Sequence, residues 1–101
     1  MSEEDLRATE PTQLALDALE RMASLLVGAG RVGEAQDRLT RGMLMEALRR
    51  TAGNYTHAAA LLGVKRQAVQ QMVARFDLDG WAEGLRRVAQ RTRLRAPRGQ
   101  N

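Results

Sequence analysis

Gly53 and Gly63 set the tightest limit on what this chain folds into. Gly53 follows an apolar-periodic stretch, where a left-handed residue closes a helix and glycine alone takes that conformation without a steric cost. Asn54 comes next and can cap the following helix, its side-chain oxygen accepting an orphan amide proton; Thr56 offers the same service. The helix between the glycines is short, "HAAALLG", built of small residues and ended by Gly63. "VKR" turns the corner, and "QAVQQMVARF" begins a helix with apolar positions at Val69, Met72, Val73 and Phe76. Small at Ala59, glycine in the turn and β-branched at Val69 is what a helix-turn-helix needs. Its two helices cross steeply, with almost no room where they touch. Leu62, Val64 and Val69 are expected to close the small core.

Upstream, "TQLALDALERMASLLV" places Ala15, Leu19, Met22 and Leu26 on one helical face, with Ala18 and Leu25 beside them. Pro11 suits the helix start, with Thr12 or Thr9 as cap. "GAGRVGEAQ" reads as a loop through Gly28, Gly30 and Gly33. A second helix is expected over about residues 34–52, burying Leu39, Met43, Leu44, Ala47 and Leu48, with Met45 also a packing residue. Gly42 inside it either weakens the helix by about 1 kcal/mol or allows a close crossing. Nothing reads as a strand. These readings predict an all-α fold of four to five helices with a helix-turn-helix in the C-terminal half.

Two such helices bury little against each other. Either later helices cover both apolar stripes, or a second copy of the chain does. The second is the expectation, a homodimer through residues 11–52, with a monomeric bundle as the alternative.

The chain has 101 residues, enough for one domain with a thin core. Cysteine is absent, which removes disulfides, thiol nucleophiles and thiolate metal sites. No apolar run is long enough to span a membrane, and the acidic start "MSEEDLRATE" is the reverse of a secretory leader, so a cytoplasmic protein is expected. The net charge is +4, unevenly spread. Residues 1–37 carry eight acidic and three basic side chains, hence −5; residues 38–101 carry four and thirteen, hence +9. Such asymmetry suggests a polyanion-facing half and a half with another job. His57 is the single histidine and has no second ligand or carboxylate near it in sequence. No nucleophile is paired with a base, and Asp77 and Asp79 make no catalytic dyad. Neither enzyme activity nor a metal, cofactor or small-molecule ligand is expected.

The stretch "MEALRRTAGNYTHAAALLGVKRQAVQQMVARFDL" resembles the DNA-binding domain of the Fis family. That family includes a free-standing nucleoid protein and the C-terminal domains of sigma-54 enhancer-binding activators. The residues carrying the resemblance are Leu48, Gly53, Asn54, Thr56, Ala58, Ala59, Leu62, Gly63, Val64, Arg66, Val69 and Phe76. The preceding helices resemble the family's dimerisation helices in length, position and pattern only.

The resemblance implies a Fis-like dimer on double-stranded DNA, its recognition helices in successive major grooves, with a role in transcription or nucleoid organisation. Asn54 and Thr56 then align with phosphate-contacting positions, and Lys65 and Arg66 with contacts at the tip of the recognition helix. Gln67, Gln70, Gln71 and Arg75 complete the expected DNA-binding set. Gln70 and Gln71 stand where the nucleoid protein has basic residues, and Asp77 where family members often have glycine. Glutamine can pair bidentately with adenine and arginine with guanine, so base readout can replace charge. An ordinary solvated face is the competing reading of the glutamines, and plain capping that of Asn54 and Thr56.

The chain divides into an acidic disordered segment (1–10), a two-helix dimerisation region (11–52), the helix-turn-helix (53–79), and a basic C-terminal helix and tail (80–101). In the last, Trp81, Leu85 and Val88 share a helical face, and Trp81 is expected to anchor a fifth helix. His57, Arg91, Arg93 and Arg95 are candidate additional phosphate contacts, against a merely solvated basic tail. A protein-interaction adaptor that keeps the helix-turn-helix shape is the alternative function.

Overall fold

The structure is a computed structural model that describes residues 10–95, with side chains as far as Arg93. It is all-α: α1 (Pro11–Leu26), α2 (Val32–Arg50), α3 (Tyr55–Leu62), α4 (Arg66–Arg75) and α5 (Asp79–Arg95), with no strand among the described residues. The chain divides into two compact units, one ending at Ala35 and the other beginning at Gln36. Residues 1–9, which hold Thr9 and all of the expected disordered segment 1–10 except Glu10, lie outside the described residues.

In the first unit, Glu10 is the N-cap of α1, extended at φ −65° and ψ 136°, and Pro11 takes the first turn. Thr12 therefore lies inside the helix and cannot cap it. Proline suits this position because its fixed φ is helical and its missing N–H would have no partner there. No residue of α1 is buried. Ala18 and Leu19 are half-buried, whereas Ala15, Met22, Leu25 and Leu26 are exposed. The expected stripe exists, but this unit supplies no layer to cover it.

α2 begins at Val32, two residues before the expected start, so Gly33 belongs to its first turn rather than to the loop. Gly42 meets nothing within 4 Å of where a Cβ would stand, so no close helix crossing occurs there among the described residues.

The second unit holds the core. Leu44, Leu48, Ala58, Val69, Val73 and Ala82 are fully buried, Ala47 and Ala59 nearly so. Tyr55, Leu62, Met72, Phe76, Leu78, Trp81 and Leu85 pack around them. Leu39 and Met43 are 45% and 52% exposed, contrary to expectation, and Val64 and Val88 are also exposed. Periodicity placed Leu39 and Met43 on the face of Leu44 and Leu48, but the neighbouring helices cover only the C-terminal part of α2. In α5 the burial centres on Ala82, with Trp81 and Leu85 beside it, and not on Val88.

The turn from α2 to α3 joins these pieces. Ala52 and Gly53 are both left-handed, at φ 54° and 80°, where a single left-handed glycine was expected. The Gly53 N–H reaches back to the Leu48 carbonyl (2.8 Å), and the Thr51 hydroxyl donates to the Ala47 carbonyl (2.9 Å), satisfying the last carbonyls of α2. Gly53 is buried against α5: a Cβ there would stand 2.6 Å from the Ala82 carbonyl oxygen and 2.8 Å from Cγ of Arg86. The Arg86 guanidinium donates to the Gly53 carbonyl (2.9 Å) and lies 5.0 Å from the Tyr55 ring centroid.

Opposite outcomes follow at these adjacent left-handed positions. Gly53→Ala, combining left-handed strain with a backbone clash, is expected to lower stability by about 2–4 kcal/mol. Ala52→Gly relieves strain alone and is expected to raise stability by about 0.5–1 kcal/mol. Urea denaturation followed by circular dichroism measures both.

Candidate nucleic-acid interface

α3 starts where it does because Asn54 is extended (φ −80°, ψ 112°) and its Oδ1 accepts the His57 amide proton at 2.9 Å. Capping therefore falls to Asn54. Thr56 lies in the first turn with its side chain exposed and does not cap the helix. The helix ends at Gly63, left-handed at φ 69°, where the Val64 N–H bonds the Ala59 carbonyl at 3.0 Å. Buried Ala59 keeps the crossing with α4 tight. Lys65, extended at φ −79° and ψ 153°, is the N-cap of α4, so that helix begins at Arg66, one residue before expectation.

Val69 and Val73 form the buried face of α4, with Met72 half-buried beside them. Arg66, Gln67, Gln70 and Gln71 recur at one-, three- and four-residue spacings and are all exposed. Two valines thus hold the helix down and fix which side chains point outward. This face offers Arg66 and three carboxamides, each carrying both donors and an acceptor, with Lys65 at its leading end.

Arg75 has a different setting. It ion-pairs with Asp37 of α2 at 2.5 Å, and its guanidinium lies 5.2 Å from the Phe76 ring centroid. Its charge is matched within the chain. After it, Asp77 is left-handed at φ 54°, and the Leu78 N–H bonds the Val73 carbonyl at 2.9 Å. Left-handed geometry is the physical reason a glycine would fit at this position. Asp tolerates it better than most side chains.

His57 is exposed and lines a polar groove of about 380 Å³ together with Asn54, Arg86, Gln90 and Arg93. Arg91 is exposed on α5, and the side chain of Arg95 lies outside the described residues. Sequence reasoning did not single out Arg86. The usable signal was its spacing four residues after Ala82, which puts both on the face that meets the Gly53 turn.

Residues 38–71 match the family described as bacterial regulatory protein, Fis family. Over that segment, about a third of the chain, the sequence is similar to a Fis-family helix-turn-helix. No curated protein and no solved structure gives a significant match. The Fis-family match takes in most of α2, all of α3 and α4 as far as Gln71, and it stops before Val73, Phe76 and α5. Fis-family domains of this class are DNA-binding regulatory modules, which suits an outward-facing α4. Among the described residues no helix is long and apolar enough to cross a membrane.

Capping and exposure are separable by mutation. Asn54→Ala is expected to cost about 1 kcal/mol of stability through the lost cap. Thr56→Ala, which removes no bond of the fold, is expected to stay within about 0.5 kcal/mol of the parent. Thermal unfolding of the two variants side by side makes the comparison.

Proposed function

We propose that the chain is a dimeric, site-selective DNA-binding protein acting in transcription regulation or nucleoid organisation, with α4 entering the major groove. The observation that carries this reading is the exposed row of Arg66, Gln67, Gln70 and Gln71 on a helix clamped from below by Val69 and Val73. A recognition helix must present base-reading side chains on one rigid face, and arginine and glutamine are the types that pair bidentately with guanine and adenine. Lys65, Asn54 and Thr56, exposed at the leading ends of α4 and α3, supply phosphate contacts that fix register. Because Arg75 is matched by Asp37, α4 relies less on charge and more on base edges than a basic recognition helix does.

Apolar surface left uncovered supports the dimer. Leu14, Leu16, Met22, Leu25 and Leu26 are exposed on α1. In the other unit Leu39 and Met43 line an apolar groove of about 410 Å³ with Gly42, Leu61 and Leu62. Most of these side chains are about half exposed, so covering one with a second copy contributes about 1 kcal/mol.

DNA binding is tested by titrating labelled duplexes across a salt series. Affinity is expected to fall steeply with salt, and Arg66→Ala to weaken the preferred site by about 1–3 kcal/mol while leaving the helical content unchanged. Absence of binding to any duplex at low salt would overturn the reading in favour of an adaptor that keeps the shape. Dimerisation is tested separately by sedimentation equilibrium. Leu25→Glu is expected to shift the chain to monomer without unfolding the core around Leu48 and Val69.

A further inference from the structure

The C-terminal helix lies outside the matched family segment, yet it carries much of the chain's basic charge. Its arginines are not equivalent. Arg86 is committed to the Gly53 carbonyl and the Tyr55 ring, and Arg87 is paired with Glu83 at 3.6 Å. Arg91 and Arg93 have no ion-pair partner among the described residues. Of these two, only Arg93 lines the polar groove between α5 and the start of α3.

That groove gathers donors from two stretches far apart in sequence. From α3 and its cap come the His57 imidazole and the Asn54 carboxamide, whose oxygen is occupied by the cap, which leaves its NH2 group to donate. From α5 come Gln90, Arg93 and the edge of Arg86. Among the described residues, no acidic side chain lines it. Its volume of about 380 Å³ corresponds to roughly a dozen waters at about 30 Å³ each, room for a phosphodiester and its neighbouring water. In a helix-turn-helix the first helix crosses the nucleic-acid backbone, so a groove beside the opening turn of α3 lies along the line of phosphates.

We infer that this groove is a second phosphate clamp, in which Arg93 and His57, with Asn54 and Gln90 donating beside them, hold a phosphodiester of the bound duplex. The inference rests on the DNA-binding reading above and extends it. α5 lengthens the footprint past the helix-turn-helix and supplies charge that the glutamine-rich α4 lacks. Such a contact adds affinity without base preference, since it touches backbone only.

The test uses the full chain and a fluorescein-labelled duplex in anisotropy titrations from about 0.05 to 0.3 M salt. Arg93→Ala is expected to weaken binding roughly three- to tenfold near 0.1 M salt and to flatten the log–log salt slope by about 0.9, the value for one phosphate. The loss should be equal on different sequences, and His57→Ala combined with Arg93→Ala should flatten the slope no further. Arg91→Ala, which removes the same charge two residues away but outside the groove, should leave the slope near that of the parent. The clamp is overturned if Arg93→Ala keeps the parental slope while Arg66→Ala weakens binding, or if Arg91→Ala flattens it equally. Inorganic phosphate is the second arm. If it shifts the His57 amide resonance while Arg93→Ala binds duplex as the parent does, the groove serves a free anion and the clamp is likewise overturned. No duplex binding by the parent itself overturns the DNA-binding reading together with the clamp.

Discussion

The helix-turn-helix depends on a backbone contact made possible by a missing side chain. At Gly53 the chain passes so close to α5 that a Cβ would stand 2.6 Å from the Ala82 carbonyl oxygen. Arg86 uses that proximity to donate to the Gly53 carbonyl, while its guanidinium lies over Tyr55, the first residue of α3. Asn54 lies between those two residues, so its cap on the His57 amide inherits their placement. One glycine therefore orients the start of α3. α3 in turn orients α4 through the tight crossing at Ala59.

Charge is distributed around α4 rather than along it. A helix with Arg66 and three glutamines on its open face carries little Coulombic attraction for a polyanion, and its second arginine is matched by Asp37. An exposed pair of this kind contributes only about 0.2–1 kcal/mol to stability. Its larger consequence is directional, since Arg75 is drawn toward α2 and away from the exposed row of Arg66, Gln67, Gln70 and Gln71. On the proposed DNA-binding reading, weak charge on this face lowers sequence-independent grip, and carboxamides that need matched donors and acceptors raise the share of binding that depends on sequence.

Much of this was legible in the sequence, and the failures share a cause. The left-handed Gly53 and Gly63, the cap at Asn54, the buried Val69 and Val73 and the helical anchor at Trp81 all follow from local spacing and backbone chemistry. Leu39, Met43, Val64 and Val88 were misplaced because periodicity reports which residues share a face but not what covers it. Contacts between distant segments were invisible for the same reason: Arg86 reaches Gly53 across 33 residues and Arg75 reaches Asp37 across 38. Helix starts slipped by one or two residues at Val32, Tyr55 and Arg66 because local composition marks a helix end only loosely. Lys65 is a case in point, an N-cap whose side chain makes no capping bond. The outward row on α4 was legible as soon as its buried face was.

Asp77 bears on whether α5 belongs to the functional domain. A left-handed non-glycine residue costs about 1–2 kcal/mol, less for Asp than for bulkier types, and persists only where the surroundings repay it. Here the turn at Asp77 returns Leu78 to the core and brings Trp81, Ala82 and Leu85 onto it, with Arg49 5.7 Å from the Trp81 ring centroid. Burial of even part of those side chains exceeds the strain, at about 25 cal/mol per Å² of apolar surface. A solvated tail would gain nothing from such a turn. The geometry after Phe76 is that of a chain built to return, and what it returns to is the Gly53 turn and the opening of α3. α5 is thus part of the structure that holds the helix-turn-helix in shape, and its exposed arginines are carried on a fixed helix rather than on a free end.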